Sequence, residues 1–98
     1  MVVLPNLISF QWDKGNLNKN LIKHGVGSSE TEEVFYDKYK KIFKDRLHSG
    51  KEERLRIIGK TKKNKLLFIV FMIRNNKVRV ISARDLNKKE VYLYEKKA

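Results

Sequence analysis

Between Arg54 and Arg84 the chain falls three times into a two-residue alternation, and no other feature of the sequence limits the fold as tightly. Arg54 to Lys60, Lys65 to Arg74 and Lys77 to Arg84 read as strands rich in β-branched and aromatic residues. They are joined by Thr61-Lys62-Lys63-Asn64 and by Asn75-Asn76, and asparagine accepts the positive φ angles of a tight hairpin. Connections this short allow only antiparallel pairing.

Upstream the period changes. Ile8, Phe10 and Trp12 alternate with Ser9 and Gln11 as a short strand would. Asp13 is placed to cap a helix over Lys14 to His24, with Leu17 and Leu21 on its inner side and Gly25 as a left-handed stop. A second helix is expected at Glu30 to Tyr36, opened by Ser29 with Glu32 three residues on, its buried side supplied by Val34, Phe35 and Tyr39. Lys40 to Gly50 shows no clear period and reads as irregular. Asn87 with Glu90 begins a last helix, whose Val91 and Tyr94 face inward.

The expected order is β-α-α-β-β-β-α, an α+β fold with the helices on one face of a mostly antiparallel four-stranded sheet. Residues 1–9 read as a leader to one domain over 10–98. The chain's 98 residues suffice for one modest core, and 41% hydrophobic with 35% charged residues is the balance of a folded, highly charged protein. Cysteine is absent, which removes disulfides, zinc ribbons and thiol nucleophiles. The longest apolar run, Leu66 to Ile73, is eight residues, too short to span a bilayer. The start of the chain lacks the basic and apolar stretches of a signal peptide, so the expected compartment is the cytoplasm, with no membrane partner.

Charge gives the first functional pointer. The net charge of +12 is unevenly spread, since residues 51–98 hold 15 Lys and Arg against 5 Asp and Glu. A field of that strength attracts polyanions. Lysines in the loops fit a merely solvated surface, whereas Arg54, Arg56, Arg74, Arg79 and Arg84 interrupt apolar strands.

With both connections taken as even, Lys60 stands opposite Lys65 and Arg74 opposite Lys77, and parity assigns the faces. Leu55, Ile57, Phe68, Val70, Met72, Ile81 and Ala83 then lie under the helices. Arg54, Arg56 and Arg84 gather on the other face around Leu67, Ile69, Phe71 and Val80. A one-residue bulge at the Asn75-Asn76 turn would move Arg74 onto the face of Arg84 and leave Arg79 elsewhere, or the converse. Guanidinium groups fork onto phosphate oxygens, so such a cluster is suited to a nucleic-acid backbone. The plain structural alternative pairs Arg84 with Glu53 or Glu90.

The two histidines, at 24 and 48, stand in no His-x-Glu or other metal-ligand pattern, so no metal is expected. Metal-free RNA cleavage needs a base for the 2′-hydroxyl, cations for the phosphorane and an acid for the 5′-oxygen. His24, Lys14, Glu53, Tyr94 and the arginines are the residue types available for those roles. The competing structural roles are a helix-terminal His24 and a core Tyr94. Trp12 is expected as a core or sheet-edge anchor. The residues alone leave open a ribonuclease, a non-enzymatic nucleic-acid-binding module and a domain that holds an acidic protein.

Taken in order, Phe10-Gln11-Trp12-Asp13-Lys14, Asn20 to Val26, Val34-Phe35-Tyr36-Asp37, Glu53-Arg54, Ile58-Gly59, Leu66-Leu67 and Val80 to Arg84 with Glu90 and Tyr94 resemble the BrnT family of type II toxins. The resemblance runs from about residue 10 to 95, departing at Ser28, where an aromatic usually stands, and in the leader. It implies a RelE-like ribonuclease fold, metal-independent RNA cleavage that halts translation, and no cofactor. It also implies a complex with a cognate BrnA-like antitoxin whose DNA-binding domain carries the pair to operator DNA. By position the family's arginines in the last two strands fall on Arg74 and Arg84.

Overall fold

The computed structural model describes residues 8–17, 23–45 and 52–96. The leader apart from residues 8 and 9, the middle of the expected first helix with Leu21, and His48 lie outside the described residues. The elements run α1 (Ser28–Val34), β1 (Lys41–Lys44), β2 (Arg54–Lys60), β3 (Leu66–Arg74), β4 (Lys77–Asp85) and α2 (Lys88–Glu95). The four strands form one antiparallel sheet in the order β1-β2-β3-β4.

The three-strand meander stands where the alternation puts it, but two one-residue irregularities change its faces. The first connection is odd. Lys62-Lys63-Asn64 forms a three-residue loop with Asn64 at φ 66°, closed by Thr61 N donating to Lys65 O at 2.8 Å. Lys60 therefore faces Leu66, not Lys65. The Asn75-Asn76 turn pairs Arg74 with Lys77 as expected, with φ of 53° and 62°, and the bulge comes later, where Phe71 pairs with Val80 and Val70 with Ser82. Ile81 is the extra residue.

Leu67, Ile69 and Phe71 of β3, each fully buried, consequently join Leu55, Ile57, Val78, Val80 and Ala83 in the core. This corrects the expected placement of Phe68, Val70 and Met72 under the helices and of Val80 beside the arginines. The core is capped by Val26, Val34 and Phe35, and the Phe10, Phe35 and Phe71 rings stack edge to face at 5.2 and 5.0 Å.

Two further expectations are corrected. The fourth strand is Lys41–Lys44, inside the segment read as irregular, whereas Ile8 to Trp12 makes only a parallel bridge from Phe10 to Val78 along the β4 edge. Pairing with β2 makes Lys41-Ile42-Phe43-Lys44 a strand, since Ile42 reaches the core opposite Ile57. The helices also divide between the faces. α1 packs on β2 and β3 over the core. α2 lies across one end of the other face, where Glu90 bonds Arg84 and Lys41 Nζ bonds Leu93 O.

The caps shift too. Asp13 Oδ1 accepts Gly15 N at 2.8 Å and opens a turn over residues 14–17, but Leu17 is exposed rather than inward. Lys23 and His24 are helical, and Gly25 ends the segment at φ 70°. At α1 the reach-back comes from Glu30 to Gly27 N, not from Glu32 to Ser29, and Tyr39 is exposed. Glu32 instead accepts Trp12 Nε1 at 2.7 Å, which ties the 8–17 segment alongside β4 to α1. Asn87 and Glu90 form the expected reciprocal cap, and Tyr94 is buried.

Candidate nucleic-acid interface

On the face opposite α1, register sets out three cross-strand rows: Arg54-Met72-Arg79, Phe43-Arg56-Val70-Ser82 and Lys41-Ile58-Phe68-Arg84. Arg74 follows Met72 on the same side of β3. The two irregularities cancel for the outer strands, so Arg54, Arg56 and Arg84 share a face as expected. Arg74 and Arg79 join them, in place of the either-or that a bulge at the turn would have forced. Arginines flanking β3 stand about two strand spacings apart, roughly 10 Å at the backbone.

Arg84 is the most constrained of these cations. Its Nη1 and Nη2 donate to the two carboxylate oxygens of Glu90 at 2.7 and 2.8 Å, its Nη1 also donates to Asp85 O at 3.0 Å, and its guanidinium lies 4.2 Å from the Phe68 ring centroid. The structural alternative of an Arg84-Glu90 pair is therefore present. Arg84's bonding pulls the Glu90 carboxyl below its usual range against the opposing effect of burial, and Glu90 in turn holds Arg84 protonated. Of the five N–H groups of a guanidinium, these contacts engage three, all on the end and the Nη1 side. Nε–H and one Nη2 hydrogen, the edge that forks onto a phosphate, carry no bond among the described residues.

Two more arginines are also paired. Arg79 Nη1 and Nη2 donate to Asp13 at 2.7 and 3.2 Å, and Arg74 Nε and Nη2 donate to Glu52 at 3.2 and 2.7 Å. The bonding lowers the pKa of Asp13 and of Glu52. Arg56 lies 6.0 Å from the Phe43 ring centroid, its Nε is buried without a hydrogen-bond partner among the described residues, and its charge reaches Glu90. Arg54 is half-buried on the same face.

Other sequence candidates stand apart from this cluster. Tyr94 lies one helical turn beyond Glu90, but its hydroxyl donates to Asp37 Oδ2 at 2.6 Å, and burial together with that carboxylate raises its pKa well above the ordinary phenol value. Glu53, just before β2, is within 3.9 Å of Lys44 Nζ. Lys14 is exposed in the turn beside Asp13, hence beside Arg79. His24 is exposed next to Gly25, whose carbonyl accepts from Lys65 Nζ at 3.3 Å. Phe43, Phe68 and the carboxylates Asp13 and Glu52 were not found as parts of the interface from sequence. An odd first connection, signalled by Asn64 before Lys65, would have revealed Phe68.

Among the described residues no group of three or more His, Asp or Glu side chains could hold a metal ion, and no helix is long and apolar enough to cross a membrane. A search of curated proteins finds no match. Residues 12–90 match the family described as the BrnT ribonuclease toxin of type II toxin-antitoxin systems.

Proposed function

Because the chain belongs to the BrnT family of ribonuclease toxins of type II toxin-antitoxin systems, we propose that its arginine face cleaves RNA without a metal. The observation that carries this reading is the Arg84 guanidinium, braced from behind by Glu90 and Phe68 with its forking edge unbonded among the described residues. A cation that is already oriented stabilises charge as it builds, with little reorganisation.

In this reading the 2′-hydroxyl attacks the adjacent phosphorus, the bond to the 5′-oxygen breaks, and a 2′,3′-cyclic phosphate remains. Arg84 and Arg56 neutralise the two-negative phosphorane. Arg54, Arg74, Arg79 and Lys14 hold the flanking backbone, contacts that give affinity and salt dependence rather than sequence preference. Tyr94 keeps its proton at neutral pH and donates it in a hydrogen bond to Asp37, so its proposed part is to hold α2, and with it Glu90, in place. His24 and Glu53, which both stand apart from the arginine cluster, are the candidate side chains for carrying the proton from the 2′-hydroxyl to the leaving 5′-oxygen. The cellular consequence is arrested translation in the cytoplasm. The partner is a BrnA-like antitoxin that covers the face, forms a hetero-oligomer with the toxin and brings operator DNA through its own DNA-binding domain.

The test is incubation of purified chain with RNA in EDTA. Cleavage is expected to persist, and Arg84→Ala and Arg84→Lys are expected to slow it by roughly 100-fold or more without lowering the melting temperature by an amount that unfolds the chain. His24→Ala is expected to slow cleavage while leaving binding intact. RNA bound but left whole, free or ribosome-associated, would replace this reading with the non-enzymatic binding module.

A further inference from the structure

Glu90, Asp13 and Glu52, three of the carboxylates that meet the arginine face, differ in how they are held. Glu90 has a side chain only 17% exposed, accepts Asn87 N at 3.0 Å as part of the α2 cap, and is fixed before it meets Arg84. Asp13 and Glu52 have side chains 48% and 44% exposed and sit outside the sheet, Asp13 in a turn beside β4 where its Oδ1 also accepts Gly15 N at 2.8 Å and its partner Arg79 is 19% exposed, Glu52 in the approach to β2. Glu52 occupies the Nε and Nη2 edge of Arg74, the same edge that on Arg84 carries no bond among the described residues. Asp13 occupies both Nη atoms of Arg79.

A carboxylate and a phosphate present the same pair of anionic oxygens to a guanidinium. Five arginines within a few strand spacings repel one another, and carboxylates at the rim relieve that repulsion in the free protein. They also compete with any anion that approaches. Exposed pairs of this kind are weak, because solvent screens them and two long side chains must be held in place. Both rim acids can therefore be displaced, Glu52 more readily than Asp13, whose turn and largely covered partner Arg79 hold it, while the Glu90 pair is built into the α2 cap.

We infer that Asp13 and Glu52 are internal stand-ins for RNA phosphates, occupying Arg79 and Arg74 until a polynucleotide backbone displaces them. This rests on the RNA-cleaving reading and adds to it which residues limit affinity for RNA. Arg84 grips from the start, whereas Arg74 and Arg79 engage only by exchange of partner. The two acids thus weaken casual binding of polyanions, and removal of either has the opposite sign from removal of Glu90.

The experiment measures binding of a short, fluorescently labelled 2′-O-methyl RNA, which lacks the attacking hydroxyl, to the full chain. Asp13→Asn and Glu52→Gln keep the acceptor oxygen and the side-chain size while removing the charge. Glu95→Gln, at the exposed end of α2, is the control for one unit of net charge. Each test variant is expected to tighten binding roughly two- to five-fold beyond the control, the double variant to combine both gains, and Glu90→Gln to weaken binding. In the wild type the Arg74 Nε–H resonance is expected to shift when RNA is added. Equal affinities for Asp13→Asn, Glu52→Gln and Glu95→Gln, or weaker binding by the first two, would overturn the inference while leaving the nuclease reading intact. No binding of RNA by any variant would overturn the nuclease reading and this inference with it.

Discussion

Gly59→Ala is expected to loosen α1 from the sheet while sparing the arginine face. A Cβ at position 59 would stand 2.8 Å from Val34 Cγ1, 3.2 Å from Val34 O and 3.2 Å from Asp37 Oδ2. Val34 is fully buried and has no open space to retreat into. Overpacking of this kind costs about 1–3 kcal/mol. Displacing Asp37 adds to it, because its carboxylate accepts Tyr94 Oη at 2.6 Å, Lys60 N at 2.8 Å and Tyr39 N at 3.1 Å. A charged acceptor bond contributes about 1.5–3 kcal/mol, and partial loss of one brings the total to about 3 kcal/mol. For a domain of this size that lowers Tm by roughly 10–20 °C. The assay is urea unfolding followed by circular dichroism, with the slope checked for constancy so that the midpoint reports stability. RNA affinity of the folded variant is expected to match wild type, since residue 59 points away from the arginines. A loss below about 0.5 kcal/mol, or a loss of RNA binding without a loss of stability, would refute the reasoning.

Tyr94→Phe is expected to cost about 1–2 kcal/mol at neutral pH and to flatten the alkaline stability profile. The unfolded chain gives up this phenol proton near 10, while the folded chain holds it through burial and Asp37. The contribution is therefore complete below 10 and is lost as pH rises further, which urea midpoints on either side of that value will show. Asn76→Ala, at φ 62°, is expected to destabilise by about 1 kcal/mol and Asn76→Gly to be neutral or slightly stabilising, read from the same unfolding curves.

The strands and turns of the meander were legible because alternation and asparagine turns are local signals. β1 was not, because Lys41-Ile42-Phe43-Lys44 is too short to show a period and exists through pairing with β2. The face of β3 was misread for a different reason. Leu66 to Ile73 is apolar throughout, so either parity would have buried hydrophobic residues, and the choice fell to a loop that has an odd number of residues where an even number was assumed. Arg84 was placed with Arg54 and Arg56 because the bulge at Ile81 restores the parity that the first hairpin removes. The carboxylate partners were out of reach of periodicity. Asp13 lies 66 residues from Arg79 in sequence, and only the seating of the 8–17 segment along β4 brings them together. Glu90 was legible as a cap, and its second use against Arg84 follows from α2 crossing to the arginine side.

In the RNA-cleaving reading that crossing also bounds the substrate. With α2 seated over the Ile58-Phe68 row, the arginine face left open along β3 runs from Val70 to Arg74, roughly 13 Å of extended strand. Such a length seats a few nucleotides at once. A short oligomer thus fills the whole groove, and an inhibitor needs only a segment of similar reach to plug it.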